Sequence, residues 1–68
     1  MNAPSDLASL SSVGAQLDEL ATRITEMAER YGETPDSLVA AELFAAERGL
    51  MGARRSVERA ASALGDIA

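Results

Sequence analysis

The sequence predicts an all-α protein folded as an antiparallel two-helix hairpin (αα-hairpin), and three observations predict it. In two long segments, apolar residues recur at alternating steps of three and four, the period of a helical packing seam. Between the segments lie a Gly and a Pro, which end one helix and begin another. The chain of 68 residues is 47% hydrophobic with one Tyr and one Phe, so Ala and Leu supply most of the apolar content of a folded helical chain.

The first segment predicts a helix over about residues 5–31. Ser5 can cap this helix through its hydroxyl, and Asp6 then lies in the first turn, where the helix dipole favours an acid. A rival start is Ser11 or Ser12, because Gly14 weakens a helix by about 1 kcal/mol. The two leucines that lie between these starts keep the helical phase of the later residues, which favours Ser5.

The predicted seam of helix one consists of its large apolar residues, with acids and arginines on the opposite face. Two pairs on that face, Glu19 with Arg23 and Glu26 with Arg30, have the i, i+4 spacing that supports a helix by a few tenths of a kcal/mol per pair. The seam itself comprises Leu10, Val13, Leu17, Leu20, Ile24, Met27 and Tyr31.

A short link, predicted over residues 32–34, joins the helices. Gly32 suits the left-handed position after a helix, Thr34 an N-cap, Pro35 the first helical position and Asp36 the first turn. A single continuous helix would place the proline in its interior at a cost of about 3 kcal/mol. Because the link is short, the helices must lie antiparallel as neighbours in one domain, residues 1–68.

Helix two is predicted over about residues 35–66. Folding at the link pairs Met27 with Val39, Ile24 with Leu43, Leu20 with Ala46, Leu17 with Leu50, Val13 with Ala53 and Leu10 with Val57. Large residues thus face Ala in every second layer, which lets two helices interdigitate. The predicted seam of helix two is Val39, Leu43, Ala46, Leu50, Ala53, Val57, Ala60, Leu64 and Ile67, and its last two layers extend beyond helix one.

Beside this seam, helix two carries a second apolar strip that helix one cannot also cover. Phe44 and Met51 border a stripe of small residues that includes Gly49 and Gly52, where either each Gly is tolerated at about 1 kcal/mol or a second helix packs closely. We therefore expect self-association into a dimeric four-helix bundle. The predicted interface comprises Leu38, Ala41, Phe44, Ala45, Arg48, Met51, Gly52, Arg55, Leu64 and Ile67.

The composition of the chain narrows the range of possible functions. The chain has no Cys and no His, which removes disulfides and the usual metal ligand sets, and no base for a catalytic triad is present. We therefore expect no enzyme activity, no cofactor and no small-molecule substrate. The net charge of −5 disfavours nucleic acid and anionic membranes as partners.

The sequence also predicts a location. No run of apolar residues approaches the length of a membrane span, and the N-terminus does not have the pattern of a signal peptide, so the predicted location is the cytoplasm. The use of Arg without Lys fits a GC-rich bacterial genome.

Three functions follow as hypotheses. The first is a small interaction module, such as an adaptor, scaffold or regulatory subunit, that binds itself as a homodimer, another protein, or both. The second is an acidic antitoxin-like or inhibitor partner that covers a basic target. Arg54, Arg55 and Arg59 form a local basic cluster, for which we expect a solvated face or ion pairs to Glu58 and to a partner's acids; the alternative is contact with phosphate or lipid, which the acidic charge of the whole chain disfavours.

The third hypothesis comes from a resemblance in architecture. A hairpin of two helices in a small acidic chain is similar to the WXG family of secreted helical hairpins. That family carries Trp-x-Gly at the bend, whereas this chain has no Trp and reads Tyr31-Gly32-Glu33-Thr34-Pro35 there; it is also shorter and lacks the family's C-terminal export signal. The resemblance implies a secreted hairpin that works with a paired partner.

Overall fold

A computed structural model describes residues 3–32 and 37–67 of the chain. In these residues the protein forms two α-helices, α1 (Ala3–Tyr31) and α2 (Ser37–Ile67), which pack against each other as a hairpin. The all-α fold and the two-helix hairpin are therefore confirmed. The predicted cap at Thr34, the proline at the first helical position and the acid at Asp36 lie outside the described residues.

Helix α1 begins earlier than predicted. It includes Ala3 and Pro4, so the predicted cap at Ser5 is wrong, as is the rival start at Ser11 or Ser12. The physical reason is that a proline in the first turn removes an N–H that has no partner within the helix anyway. Asp6 lies in the first turn, as expected.

The end of α1 also differs from the prediction. Gly32 does not adopt a positive φ, so the left-handed conformation predicted for it is wrong. Its N–H instead donates a hydrogen bond to the backbone oxygen of Glu29 at 3.4 Å, an i to i−3 bond that tightens the last turn. This residue therefore closes the helix without using the conformational freedom of glycine.

The seam between the helices follows the predicted period but is rotated on both helices. We define the seam as the buried and half-buried residues that recur at steps of three and four. In α1 these are Ala3, Leu7, Leu10, Gly14, Leu17, Ala21, Ile24 and Ala28; in α2 they are Ala40, Leu43, Glu47, Leu50, Arg54, Val57, Ala61 and Leu64.

Half of the predicted seam is therefore wrong. The leucines, isoleucine and valine at 10, 17, 24, 43, 50, 57 and 64 lie in it, but the alternate layers do not. The exposed residues are Val13, Leu20, Met27 and Tyr31 of α1, and Val39, Ala46, Ala53, Ala60 and Ile67 of α2. Gly14, Ala21, Ala28 and Ala40 take the places of Val13, Leu20, Met27 and Val39, because small side chains let the two backbones approach more closely than large ones do. On α2, Glu47, Arg54 and Ala61 take the places of Ala46, Ala53 and Ala60.

One contact fixes the register of the hairpin. The guanidinium of Arg54 lies over Gly14, at the place where a Cβ of residue 14 would be. The same register puts Ala21 beside Glu47 and Ala28 beside Ala40. At the far end Leu64 is half-buried, so the prediction that it extends uncovered beyond helix one is wrong, because α1 begins at Ala3. Ile67 remains 83% exposed, as predicted.

The hairpin is a thin rod. It measures 51 × 14 × 13 Å, and its radius of gyration is 15.6 Å, against about 11 Å for a globular domain of this length. Two helices side by side have a seam but no interior. Most residues of both helices therefore stay in contact with solvent, including many apolar ones.

Candidate interaction surfaces

The seam divides the surface of the hairpin into two sides. Equivalent positions on two antiparallel helices lie on the same side of the plane that contains both axes. Six seam residues set the two sides: Gly14, Ala21, Ala28, Ala40, Glu47 and Arg54. The residue immediately before each of these six points to one side in both helices, and the residue four after each of them points to the other. Asp18, Thr25 and Met51 all belong to the second set, and together they line one groove, which agrees with this geometry.

The first side is apolar. We define the apolar face by six residues, each of which immediately precedes Gly14, Ala21 or Ala28 of α1, or Ala40, Glu47 or Arg54 of α2: Val13, Leu20, Met27, Val39, Ala46 and Ala53. All six are exposed, and the exposed fractions of the four larger ones are 39%, 42%, 37% and 43% in chain order. The face follows the hairpin through its central layers, and Ala60 and Ile67 continue it along α2.

The edges of the apolar face carry charges. Arg23 and Arg30 each lie three residues after a member of the face on α1, and Glu42 lies three residues after Val39 on α2. Among the described residues none of these three has an ion-pair partner. The i, i+4 pairs predicted for Arg23 with Glu19 and for Arg30 with Glu26 are thus not formed.

The second side contains an acidic groove. The groove is open and has a volume of about 550 Å³. Its lining includes three carboxylates and no basic group, with Met51 as its largest apolar side chain: Asp18, Ala21, Thr22, Thr25, Glu26, Glu47 and Met51. Phe44 lies two helical turns before Met51 on the same side and is 37% exposed.

Arg54 binds one of the carboxylates that line this groove. Its Nε donates to Oδ1 of Asp18 at 3.1 Å, and its Nη1 lies 3.3 Å from Oε1 of Glu58. Thr22 Oγ1 in turn donates to the backbone oxygen of Asp18 at 3.1 Å. The ion pair expected between the arginine cluster and Glu58 is present at Arg54, whereas Arg59 donates to the hydroxyl of Ser56 at 3.0 Å.

The predicted interface residues do not form one continuous patch. Met51, Gly52 and Leu64 are half-buried, and Phe44 lies on the groove side. The remaining members are exposed on the flank of α2 that faces away from α1, with Leu38 the most exposed at 73%. They comprise Leu38, Ala41, Ala45, Arg48 and Arg55, with Ile67 beyond the last layer.

Sequence reasoning assigned the apolar face to the interior of the hairpin. The signal that could have placed it correctly is the row of small residues Gly14, Ala21, Ala28 and Ala40, which immediately follow Val13, Leu20, Met27 and Val39. Gly14 is the clearest of them, because it would otherwise weaken the middle of α1 without a packing reason. At Gly49, by contrast, nothing in the described residues lies within 4 Å of an added Cβ.

The fold and these surfaces define the class of the protein: a two-helix hairpin with one apolar and one acidic side. Comparison with protein-family models, with curated proteins and with solved structures finds no significant match. Neither α1 nor α2 has a stretch apolar enough to cross a bilayer, as far as the structure describes them. Within residues 3–32 and 37–67, no three acidic side chains cluster closely enough to hold a metal ion.

Proposed function

We propose that this protein is a small, non-catalytic interaction module, an adaptor, scaffold or regulatory subunit. It associates with itself as a dimeric four-helix bundle and offers a surface of α2 to another protein. One observation carries the proposal: in the described residues no side chain larger than alanine is buried, since the buried positions are Gly14, Ala21, Ala28 and Ala40. The large apolar side chains that normally form a core are half-buried or exposed.

The surface area supports the same proposal. The chain exposes 4766 Å², whereas a compact monomer of its mass exposes about 4,100 Å². The hairpin is 51 Å long and 14 Å wide, so one side offers about 700 Å², close to the roughly 800 Å² per partner of a standard protein interface. With neither Cys nor His in the chain, a disulfide or a His-containing zinc site cannot supply the missing stability. Association is the remaining source.

Thermal unfolding at a series of protein concentrations tests the proposal. Because dimerisation is linked to folding, we expect the Tm to rise with concentration from about 1 µM to about 100 µM. A Tm that is the same at all concentrations, in a fully helical chain, would contradict it. The measurement needs no partner other than the protein itself.

Two variants locate the association surface. Leu20→Asp places a charge on the apolar face, and we expect it to weaken the dimer by at least about 100-fold because the carboxylate loses its water on binding. Leu38→Asp is the matched control, since Leu38 is more exposed and lies away from the apolar face. Sedimentation of both variants should give a monomer for the first and a dimer for the second; equal effects would place the association surface elsewhere.

The acidic groove favours a second candidate function, an antitoxin-like or inhibitor partner that covers a basic target. Three carboxylates beside Met51 offer charge at the rim and an apolar contact within, which suits an amphipathic basic helix. The probe is an arginine-rich amphipathic peptide, titrated at low and high salt. We expect binding that salt weakens and that Glu47→Gln reduces, with Glu19→Gln as the control outside the groove; no binding at low salt would contradict this candidate.

A further inference from the structure

We propose that a second copy of this chain covers the apolar face, with the turns of both hairpins at the same end of the dimer. This inference rests on the proposed function and specifies its geometry. A twofold axis parallel to the helices then stacks α1 of one hairpin on α2 of the other at the same level. Both copies use the same face, as an isologous dimer requires.

The sizes of the side chains on the face support this arrangement. In the register set by Gly14 and Arg54, Leu20 lies within about 3 Å of the level of the partner's Ala46 along the axis, and Val13 lies within about 3 Å of the level of the partner's Ala53. A large residue on α1 is thus opposite a small one on α2 in two of three layers, which lets the two hairpins interdigitate. In the third layer Met27, an adaptable side chain, meets the partner's Val39.

The charges at the edges of the apolar face independently support the arrangement with both turns at one end. The register set by Gly14 and Arg54 puts Glu42 level with residue 26, which lies between Arg23 and Arg30 along α1. The two arginines are then about 4.5 Å and about 6 Å from that level along the axis, within reach of long side chains. Stacking α1 on the partner's α2 places both arginines beside the partner's Glu42. Twofold symmetry forms this charge cluster twice.

The alternative dimer, with turns at opposite ends, lacks this complementarity. It stacks α1 on the partner's α1 and α2 on the partner's α2. Along the edge that carries the arginines, the other positions of α1 are Ser9 and Gln16, neither of which is an acid. Along the edge that carries Glu42, the other positions of α2 are Gly49, Ser56 and Ala63, so the acid meets no base there.

Pulsed electron paramagnetic resonance distinguishes the two arrangements. The chain has no Cys, so Ala15→Cys and Glu29→Cys each give one spin label per chain, both at exposed positions on the same flank of α1. Ala15 lies near the middle of the rod and Glu29 near the turn. With both turns at one end, the label-to-label distances in the two dimers agree within about 5 Å. With turns at opposite ends, the Glu29 labels are at least about 15 Å further apart than the Ala15 labels, because axial offsets accumulate at 1.5 Å per residue.

A charge reversal supplies the second measurement. We expect Glu42→Arg to raise the dissociation constant of the dimer about tenfold, because it places like charges together at the edge. Glu19→Arg is the control, an exposed acid away from the apolar face, and it should change the constant by less than about threefold. Combining Glu42→Arg with Arg23→Glu and Arg30→Glu should restore the affinity.

The outcomes separate this inference from the proposed function. A chain that is monomeric at all concentrations contradicts both. A dimer whose Glu29 labels lie much further apart than its Ala15 labels overturns the arrangement and leaves self-association in place. A dimer that Glu42→Arg and Glu19→Arg affect equally also overturns the arrangement.

Discussion

The two sides of the hairpin are built by the same helices across the same seam, yet they differ in chemistry. The apolar face places Val13, Leu20, Met27 and Val39 in solvent, whereas the groove side presents carboxylates and an arginine bound to two of them. A hairpin that only had to fold would need polar residues on both sides. This asymmetry supports the proposal that a second copy of the chain covers the apolar face.

The largest effect within one chain is expected at the seam that separates the two sides. Ala28 is fully buried, so Ala28→Leu should push the helices apart and destabilise the fold by about 1 to 3 kcal/mol. Ala45→Leu, on the exposed flank of α2, should change stability by less than about 0.5 kcal/mol. Urea unfolding of both variants measures the difference; equal midpoints would show that the seam is not where small residues are required.

An intermediate effect is expected from two glycines in different surroundings. Gly49→Ala should stabilise the protein by about 1 kcal/mol, because alanine favours the helix and the added Cβ meets nothing within 4 Å. Gly14→Ala should gain less, because its Cβ displaces the Arg54 guanidinium and disturbs the bond to Asp18. Chemical denaturation compares them, and a larger gain at residue 14 would contradict the close packing of Arg54 over Gly14.

The smallest effect is expected at the ion pair on the groove side. Asp18→Asn removes the charge that faces Arg54, and since both side chains are partly exposed the cost should be about 0.5 kcal/mol and should shrink in high salt. The association of the two copies should not change, because this pair lies on the side away from the apolar face. A dissociation constant that rises as much as with Leu20→Asp would break the distinction between the two sides.

The fold could be predicted from the sequence because it follows from two long helical periods and a short link that contains a proline. Half of the seam could also be predicted. Leu17, Leu50 and their periodic neighbours lie in the seam both in the predicted and in the observed rotation of the helices about their own axes. The other half could not be predicted from size alone. On α1, apolar or small residues occupy three neighbouring positions of each heptad on the helix surface, such as Leu20, Ala21 and Ile24, and one partner helix covers only two of them. On α2, two of the covered positions hold the charged residues Glu47 and Arg54.

The rotation of each helix about its own axis is decided by the close approach of the two backbones rather than by the hydrophobicity of the side chains. Ala21 and Ala28 bury less area than Leu20 and Met27 would, but they bring the backbones together, and the larger residues stay exposed. The start of α1 differs from the prediction for a local reason. Pro4 resembles the boundary of a helix in the sequence, although a proline is compatible with the first turn of a helix. The positions of Glu47 and Arg54 in the seam were missed because charged residues were assigned to the surface, whereas their long side chains can reach solvent from its edge.

The central claim is that the apolar face is covered by a second copy of the chain, and sedimentation equilibrium tests it most directly. The chain has a mass of 7.1 kDa. We predict that the helical protein sediments at twice that mass from about 10 µM upward, within the range where dimers of standard interface size form. A fully helical protein that sediments at the mass of one chain throughout this range would contradict the claim.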